Sequence, residues 1–234
     1  MRNFIVILLG FSMLLNSAAT AKNLFILSGQ SNMARLKPEK VFQPAVEAEF
    51  GKDNIIVVKE AQGGQPISRW YKDWKSAVDE KSESTGDLYD SMMKKVLAAV
   101  QDDKLTSVTF IWMQGEADAK ASNGEIYAAS LEGVVDQLRT DLGFQHINVI
   151  IGRLSDFGMD NKKCPHWTMI RDAQVRMAEA HPRYTWVDTD DLNDGADGKG
   201  RIRPNALHYS VEGYDVLAKR YAEKSIALIR ENER

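Results

Sequence analysis

The sequence lacks the features that define several common protein classes. Cys164 is the only cysteine, so no intramolecular disulfide can form, and we expect its thiol to be buried or inert. There is no basic stripe, and the formal net charge is −3, which argues against a protein that binds nucleic acid. No cluster of cysteine and histidine residues has the spacing of a metal site, so we predict neither a metal nor another cofactor.

Long apolar runs are confined to the N-terminus. The segment MRNFIVILLGFSMLLNSAATA has an apolar core over 4–15 and ends in Ala19-Thr20-Ala21, which is the layout of a secretory signal cleaved after Ala21. This core is short for a membrane span. We therefore predict a signal peptide over 1–21 and an exported protein, periplasmic or extracellular, without stable membrane insertion; an uncleaved N-terminal anchor is the alternative.

The remainder, 22–234, predicts one domain of the α/β class. Short runs rich in β-branched and aromatic residues alternate with stretches of helical periodicity, and such continuous apolar runs are typical of a parallel sheet covered on both faces. This pattern indicates a three-layer α/β/α sandwich with a roughly five-stranded parallel sheet, which binds ligands at the carboxyl ends of its strands. The predicted strands are 24–27, 55–58, 108–113, 149–151 and 184–187. The predicted helices cover about 88–100, 131–142, 169–180 and 211–230, and a polar, glycine-rich loop is predicted over 188–205.

Polar groups suited to acyl transfer follow the predicted strands. Ser31 follows the first strand, Gly64 the second and Gln114 the third, whereas His208 precedes the last helix. Acyl transfer needs a hydroxyl nucleophile, a base of near-neutral pKa and donors for the tetrahedral oxyanion. Taken singly, these residues would be read as a helix cap, a turn, a buried amide and a structural histidine. Their succession at strand ends favours a catalytic site.

Four sequence blocks carry a resemblance to a known family. They are GQSNM at 29–33, AQGGQPISRW at 61–70, WMQGEADA at 112–119 and NALHYSVEGY at 205–214. In this order they resemble the blocks of the SGNH (GDSL-like) hydrolases, and more closely the branch of sialate O-acetylesterases and carbohydrate acetyl esterases. The resemblance implies a flavodoxin-like fold and a serine esterase that removes acetyl groups from a saccharide without a metal or cofactor.

The resemblance also implies the roles of individual residues. Ser31 would be the nucleophile and form an acetyl-enzyme, and His208 would be the general base. The oxyanion hole would consist of the Ser31 and Gly64 N–H groups and the Gln114 amide. Two acidic residues of the third block would support that block by hydrogen bonds, namely Glu116 and Asp118.

One position departs from the family pattern. The family usually places an aspartate three residues before its histidine, and this sequence has Asn205 there. An asparagine can accept the imidazole Nδ1–H, but it cannot neutralise the imidazolium that forms during attack. Asn205 is therefore the predicted third catalytic residue. The alternatives are a backbone carbonyl that orients the imidazole, Glu116, or a loop acid from the set Asp188, Asp190, Asp191, Asp194 and Asp197. Two other functions stay open, a non-catalytic glycan-binding protein and a lipase or thioesterase.

Overall fold

The computed structural model describes residues 21–76 and 83–232. The predicted signal peptide therefore lies outside the described residues, apart from Ala21 at its end. Among the helices of the described ranges, none combines the length and apolar character needed to cross a membrane.

A five-stranded parallel sheet forms the centre of the fold. All five predicted strands are confirmed, and the order β2-β1-β3-β4-β5 is the flavodoxin-like order. Apolar side chains fill both faces of β1, β3 and β4, because helices cover the sheet on each side. The strands are β1 (Lys22–Gly29), β2 (Ile55–Ala61), β3 (Leu105–Met113), β4 (Ile147–Gly152) and β5 (Tyr184–Val187).

The helices form the two outer layers. The α2 helix packs beside α7, α5 packs beside α6, and α3 packs on β2, as right-handed crossovers in both directions from β1 require. All four predicted helices are confirmed. The helices are α1 (Ser31–Arg35), α2 (Phe42–Phe50), α3 (Asp87–Val100), α4 (Glu116–Lys120), α5 (Gly124–Leu142), α6 (Trp167–Ala180) and α7 (Val211–Asn232).

The segment predicted as a polar loop over 188–205 contains a small antiparallel ribbon. Its strands are β6 (Gly195–Ala196) and β7 (Ile202–Arg203). Asp197 closes the turn between them, because its Oδ1 accepts hydrogen bonds from the backbone N–H groups of Lys199 and Arg201. The sequence prediction missed this ribbon, since two-residue strands leave no periodicity to detect.

Close packing and backbone hydrogen bonds hold together the carboxyl ends of β1, β2 and β3. Gly29 has φ +137°, and a Cβ there would lie 2.0 Å from the carbonyl oxygen of Met113, so the close approach of β1 and β3 requires glycine. The Gly29 carbonyl accepts a hydrogen bond from Gln62 N–H at 3.1 Å, and Gln30 N–H donates to Met113 O at 2.8 Å. Strand ends that are far apart in sequence therefore meet at a fixed edge of the sheet.

Candidate active site

Ser31 begins α1 directly beyond the end of β1. The Gly63-Gly64 turn lies against it, since a Cβ placed on Gly63 would be 3.5 Å from Ser31 Cβ. Gly64 has φ +73° and is exposed. Among the described residues, the backbone N–H groups of Ser31 and Gly64 have no hydrogen-bond acceptor. Two unpaired donors on segments that pack together at Ser31 could serve a tetrahedral oxyanion.

His208 lies in the loop before α7, with its imidazole half-buried. Burial, followed by the positive charge of Arg35, lowers the pKa of His208 below its usual value. The imidazole is therefore neutral at neutral pH, which is the form that a general base requires. In the described part of the chain, no hydrogen bond joins His208 to Ser31 Oγ or to Asn205. Such catalytic hydrogen bonds are often long in the free enzyme and shorten with substrate.

The side chain of Asn32 connects α1, which begins at Ser31, to the loop that carries His208. Its Nδ2 donates to Glu116 Oε1 at 3.1 Å and to the carbonyl of Leu207 at 3.2 Å. Its Oδ1 accepts from the Tyr214 hydroxyl at 2.9 Å. Because Leu207 precedes His208, this buried amide fixes the histidine loop relative to Ser31. Sequence reasoning assigned no role to Asn32 or Tyr214, although both stand inside the recognised blocks.

Gln114 is fully buried and supports the segment that carries Gly64. Its Nε2 donates to Asp118 Oδ2 at 2.5 Å and to the carbonyl of Gln65 at 3.1 Å. Asp118 Oδ2 also accepts the Ile67 N–H at 2.9 Å, so Asp118 braces the same segment. Both amide hydrogens of Gln114 are thus engaged. Its predicted role as an oxyanion donor would require one of these two acceptors to be released.

Two acids of the third block are buried with an unpaired oxygen. Glu116 Oε2 and Asp118 Oδ1 have no hydrogen-bond partner among the described residues. Burial raises the pKa of Glu116 to about 7 and that of Asp118 to about 6. Glu116 forms its hydrogen bond with Asn32 rather than with His208, so the structure gives no support to Glu116 as the third catalytic residue.

The loop acids proposed as substitutes for the missing aspartate are all engaged elsewhere. Four of them form ion pairs with arginines, and the fifth, Asp194, accepts the backbone N–H of Asn205 at 2.6 Å. In the described ranges, none of the five is hydrogen-bonded to His208. The ion pairs are Asp188 with Arg153, Asp190 with Arg153 and Arg171, Asp191 with Arg220, and Asp197 with Arg201 and Arg203.

Asn205 itself is held away from a direct bond to the imidazole. Its φ is +42°, a conformation that asparagine tolerates better than most residues. Its Oδ1 accepts a hydrogen bond at 3.1 Å from Nδ2 of the buried Asn193, which also donates to Asp156 Oδ1 at 2.9 Å. The side chain of Asn205 is thus connected through the Asn193 amide to the Asp156 carboxylate.

Two clefts meet at this edge of the sheet. The Gly64 cleft, lined by Gln30, Gly64, Glu116, Phe157 and Leu207 among others, has a volume of about 830 Å³. The His208 cleft, lined by Arg35, Phe157, Asn205, Leu207 and His208 among others, has a volume of about 420 Å³. Because they share Phe157 and Leu207, the clefts adjoin.

The remaining predictions concern the single thiol and metal binding. Cys164 lines the Gly64 cleft and is half-buried, and burial raises the pKa of its thiol above the usual value. Within the described ranges, no group of three or more His, Cys, Asp or Glu side chains is arranged to hold a metal ion.

The sheet order and the polar groups at its carboxyl edge define a flavodoxin-like α/β protein. Comparison with protein families then identifies the branch: the chain belongs to the family described as carbohydrate esterase, sialic acid-specific acetylesterase, whose model matches residues 34–227. The resemblance to the sialate O-acetylesterase branch of the SGNH hydrolases is thereby confirmed. The matched range begins after Ser31 and includes Gly64, Gln114 and His208.

Solved structures agree on the fold. A protein from Arabidopsis thaliana has 19% identity and a TM-score of 0.65, over 88% of this chain and 98% of its own. A carbohydrate acetylesterase from Xanthomonas citri has 15% identity and a TM-score of 0.63, over 89% of this chain and 57% of its own. NanS has 14% identity and a TM-score of 0.60, over 92% of this chain and 99% of its own. At these identities the likeness establishes the fold alone. A search among curated proteins found no match.

Replacing Glu116 by glutamine should change the pH dependence of stability. In the folded protein the pKa of Glu116 is about 7, against 4.5 for an unperturbed glutamate. The folded state therefore binds the carboxyl proton of Glu116 more tightly than the unfolded state does. The stability that this difference gives is lost as pH rises from about 4.5 through 7. Glutamine does not titrate and keeps an oxygen for Asn32. We expect the free energy of unfolding of Glu116→Gln, relative to wild type, to rise by roughly 2–3 kcal/mol between pH 5 and pH 8.

The measurement is urea unfolding of both proteins at several pH values. Glu212→Gln, which removes an exposed carboxylate from the first turn of α7, is the matched control for loss of a carboxylate and should not reproduce a rise of this size. A difference for Glu116→Gln that does not change with pH would show that Glu116 is not a buried acid of raised pKa.

Replacing Asn205 by aspartate tests whether the family's missing charge limits catalysis. Aspartate keeps an acceptor for Asn193 and adds a negative charge near His208, which stabilises the imidazolium formed during attack. We expect kcat for an acetyl ester to rise by up to about fivefold, because a partly exposed charge pair contributes up to about 1 kcal/mol. Asn205→Gly removes the side chain without backbone strain and serves as the control. An unchanged or lower kcat for the aspartate variant would mean that Asn205 is not an impaired substitute for aspartate.

Proposed function

We propose that this protein is a serine esterase that removes O-acetyl groups from a carbohydrate through an acetyl-enzyme on Ser31. The observation that carries the proposal is the pair of unpaired N–H groups, one of Ser31 and one of Gly64, in the turn that packs against Ser31. An ester carbonyl bound at Ser31 would find both donors already in place. Membership of the carbohydrate esterase family supports the same reaction.

The reaction follows from the residues at the edge of the sheet. His208, neutral at neutral pH, takes the proton of Ser31 Oγ as the hydroxyl attacks the acetyl carbonyl. The tetrahedral oxyanion accepts hydrogen bonds from the Ser31 and Gly64 N–H groups. As this intermediate collapses, His208 gives the proton to the departing sugar oxygen. Water, deprotonated by His208, then attacks the acetyl carbon, and His208 returns the proton to Ser31 Oγ as the acyl bond breaks and acetate leaves.

The test is acetate release from p-nitrophenyl acetate and from acetylated sugars, beside a Ser31→Ala variant. Wild type should give a burst of p-nitrophenol and an acetyl adduct on the peptide that contains Ser31. The variant should give neither, while its circular dichroism and thermal unfolding stay unchanged. Folded wild type without activity on any of these esters would favour a glycan-binding protein instead. Activity only on long-chain or thiol esters would favour a lipase or thioesterase.

The position of Arg35 supports the proposal that the substrate carries a carboxylate. Among the described residues it forms no ion pair, it is exposed, and it lines the His208 cleft. It also lines an adjoining groove with Lys37 and Lys40, of which Lys40 pairs with Asp215. A free guanidinium at the mouth of a site offers two parallel N–H donors to a carboxylate. An acetylated sialic acid has such a carboxylate and neutral acetylated xylan does not, so we propose the former class of substrate.

Replacing Arg35 by methionine separates sugar recognition from chemistry. At pH 8, where His208 is neutral in both proteins, we expect kcat/KM for an O-acetylated sialic acid to fall roughly 10- to 100-fold, as loss of a charge-assisted hydrogen bond predicts. Activity on p-nitrophenyl acetate should stay within about threefold. Lys37→Met makes the same charge change in the adjoining groove and is the control. Equal loss on both esters would contradict a role in sugar recognition.

A further inference from the structure

Three clefts follow one another along the carboxyl edge of the sheet. The Gly64 cleft adjoins the His208 cleft, and the His208 cleft in turn shares Arg35 and Tyr209 with a third cleft around Lys37, which we call the basic groove. The basic groove has a volume of about 370 Å³. Each of the three is of the size that holds one small ligand, about 300–1,000 Å³. Together they extend well beyond what a single acetyl ester needs.

Two lysines line the Gly64 cleft. Lys120 ends α4 and Lys163 lies in the loop before α6, and both are exposed. In the described ranges, neither ammonium group is paired with a carboxylate. The acid among the described residues of this cleft is Glu116, whose raised pKa of about 7 leaves it partly protonated near neutral pH. This end of the surface is therefore positive.

The basic groove also has an excess of positive charge. Arg35 and Lys37 are exposed and, among the described residues, neither forms an ion pair. Lys40 pairs with Asp215 and so neutralises the carboxylate of this groove. An anion that enters would meet two unpaired cations and, in the described part of the lining, no unpaired carboxylate.

The backbone that carries Arg35 and Lys37 is held in a fixed conformation. Leu36 between them is fully buried and extended, with φ −62° and ψ 133°, so its two neighbours project outward. Lys59 Nζ donates hydrogen bonds to the Leu36 carbonyl and to the carbonyl of the residue before Arg35. The Cα atoms on either side of an extended residue are about 6–7 Å apart. The two cations therefore stand in a fixed order, Arg35 in both the His208 cleft and the basic groove and Lys37 in the groove alone.

Two arginines of the β6–β7 ribbon add to the charge of the His208 cleft. Arg201 and Arg203 approach Asp197 at 2.7 Å and 3.7 Å, and all three side chains line this cleft. Two guanidinium groups on one carboxylate leave one positive charge in excess. All three clefts are thus positive, in a chain whose formal net charge is −3. Such a field raises the local concentration of anions and speeds their association.

Apolar side chains accompany the cations of the basic groove. Tyr209 and Tyr214 line it with their ring centroids 5.6 Å apart, and Val211, also in the lining, is 42% exposed. Ligand sites are commonly apolar surfaces with a small number of placed polar groups. The C–H face of a sugar ring can pack on such a surface while its carboxylate reaches a cation. This combination suits a sugar acid better than a simple anion.

We propose that the three clefts together bind an acidic oligosaccharide, in which the sugars on both sides of the acetylated residue also carry carboxylates. This inference deepens the proposed esterase function and rests on it, because it concerns the same site. Arg35 binds the carboxylate of the acetylated sugar, and Lys37 binds that of its neighbour in the basic groove. Lys120 and Lys163 attract the neighbour on the other side. The preferred substrate is a chain of acetylated sialic acid residues rather than the free sugar.

The first test compares O-acetylated oligosialic acid with free O-acetylated sialic acid, with rates expressed per acetyl group. At about 0.05 M salt we expect kcat/KM on the chain to exceed that on the free sugar by at least about tenfold, because the chain makes several charge contacts. The ratio of the two values should fall several-fold at about 1 M salt, where the Debye length is about 3 Å.

Lysine variants assign this preference to the two outer clefts. Lys37→Met and Lys120→Met should each lower the ratio about three- to fivefold, as loss of one exposed ion pair predicts. The double variant should lower it roughly 10- to 25-fold, because the two lysines lie in different clefts and act independently. All these side chains are exposed, so the variants should fold as wild type does. Lys224→Met removes an exposed lysine of α7 that lines none of the three clefts, and as the control it should keep the wild-type ratio.

Binding to the Ser31→Ala variant gives a readout that does not depend on catalysis. In calorimetric titration, a sialic acid tetramer without acetyl groups should bind, and Lys37→Met or Lys120→Met should weaken its Kd about three- to fivefold. Polyglutamate of equal charge and a neutral chitin tetramer are the reference probes. Each should bind at least about tenfold more weakly, because one lacks the sugar rings and the other lacks the carboxylates.

The outcomes separate this inference from the proposed function. Active wild type with equal kcat/KM on the chain and the free sugar, or with a ratio that neither lysine variant changes, would overturn the inference alone. Polyglutamate or chitin that binds as tightly as the acidic tetramer would do the same. Folded wild type that binds the tetramer but releases no acetate and acquires no acetyl group on Ser31 would overturn the esterase function and support the acidic-glycan site. Neither binding nor acetate release would overturn both.

Discussion

The hydrogen bonds of the Asn32 side chain are the constraint on which the geometry of the candidate site depends. Ser31 and His208 lie on separate segments and make no direct bond in the described structure. Their relative position is set by Asn32 Nδ2, which donates to Leu207 O and Glu116 Oε1. The Tyr214 hydroxyl fixes the amide from its other side. Removing this buried amide would leave a carbonyl and a carboxyl without donors, which is more costly than losing an exposed hydrogen bond.

Most of the fold could be predicted from the sequence because each strand of a buried parallel sheet is marked by its own run of apolar residues. Each strand is an apolar run, and the carboxyl ends of such strands must meet at one edge, so polar residues that follow the runs converge. The approach of Ser31 to the Gly63-Gly64 turn is a direct consequence. The α2 helix was missed, since only Phe42 and Val46 of its residues are buried and Pro44 stands in its first turn, where a helix tolerates proline.

The details of the site could not be predicted, because they depend on pairings between distant residues. An acidic loop before a catalytic histidine suggests a carboxylate for the triad, yet Arg153, Arg171 and Arg220 engage three of its members. Nothing in the sequence indicates these partners. Gln114 presents the same difficulty, since an amide that follows a strand end suggests a free donor. Only the hydrogen bonds of the folded chain show that both of its amide hydrogens are engaged, by Asp118 and the Gln65 carbonyl.

The surroundings of His208 oppose the imidazolium that the proposed reaction would form. Burial and Arg35 lower the pKa of His208, which keeps the base neutral but makes the imidazolium costly. Glu116 gives little relief, because its raised pKa of about 7 leaves it roughly half protonated near neutral pH, and Asp118 is engaged by Gln114 and the Ile67 N–H. A carboxylate on the substrate, bound to Arg35, would cancel the charge that opposes the imidazolium. In that case the anionic group of a sialic acid would both select the substrate and supply the charge that Asn205 lacks.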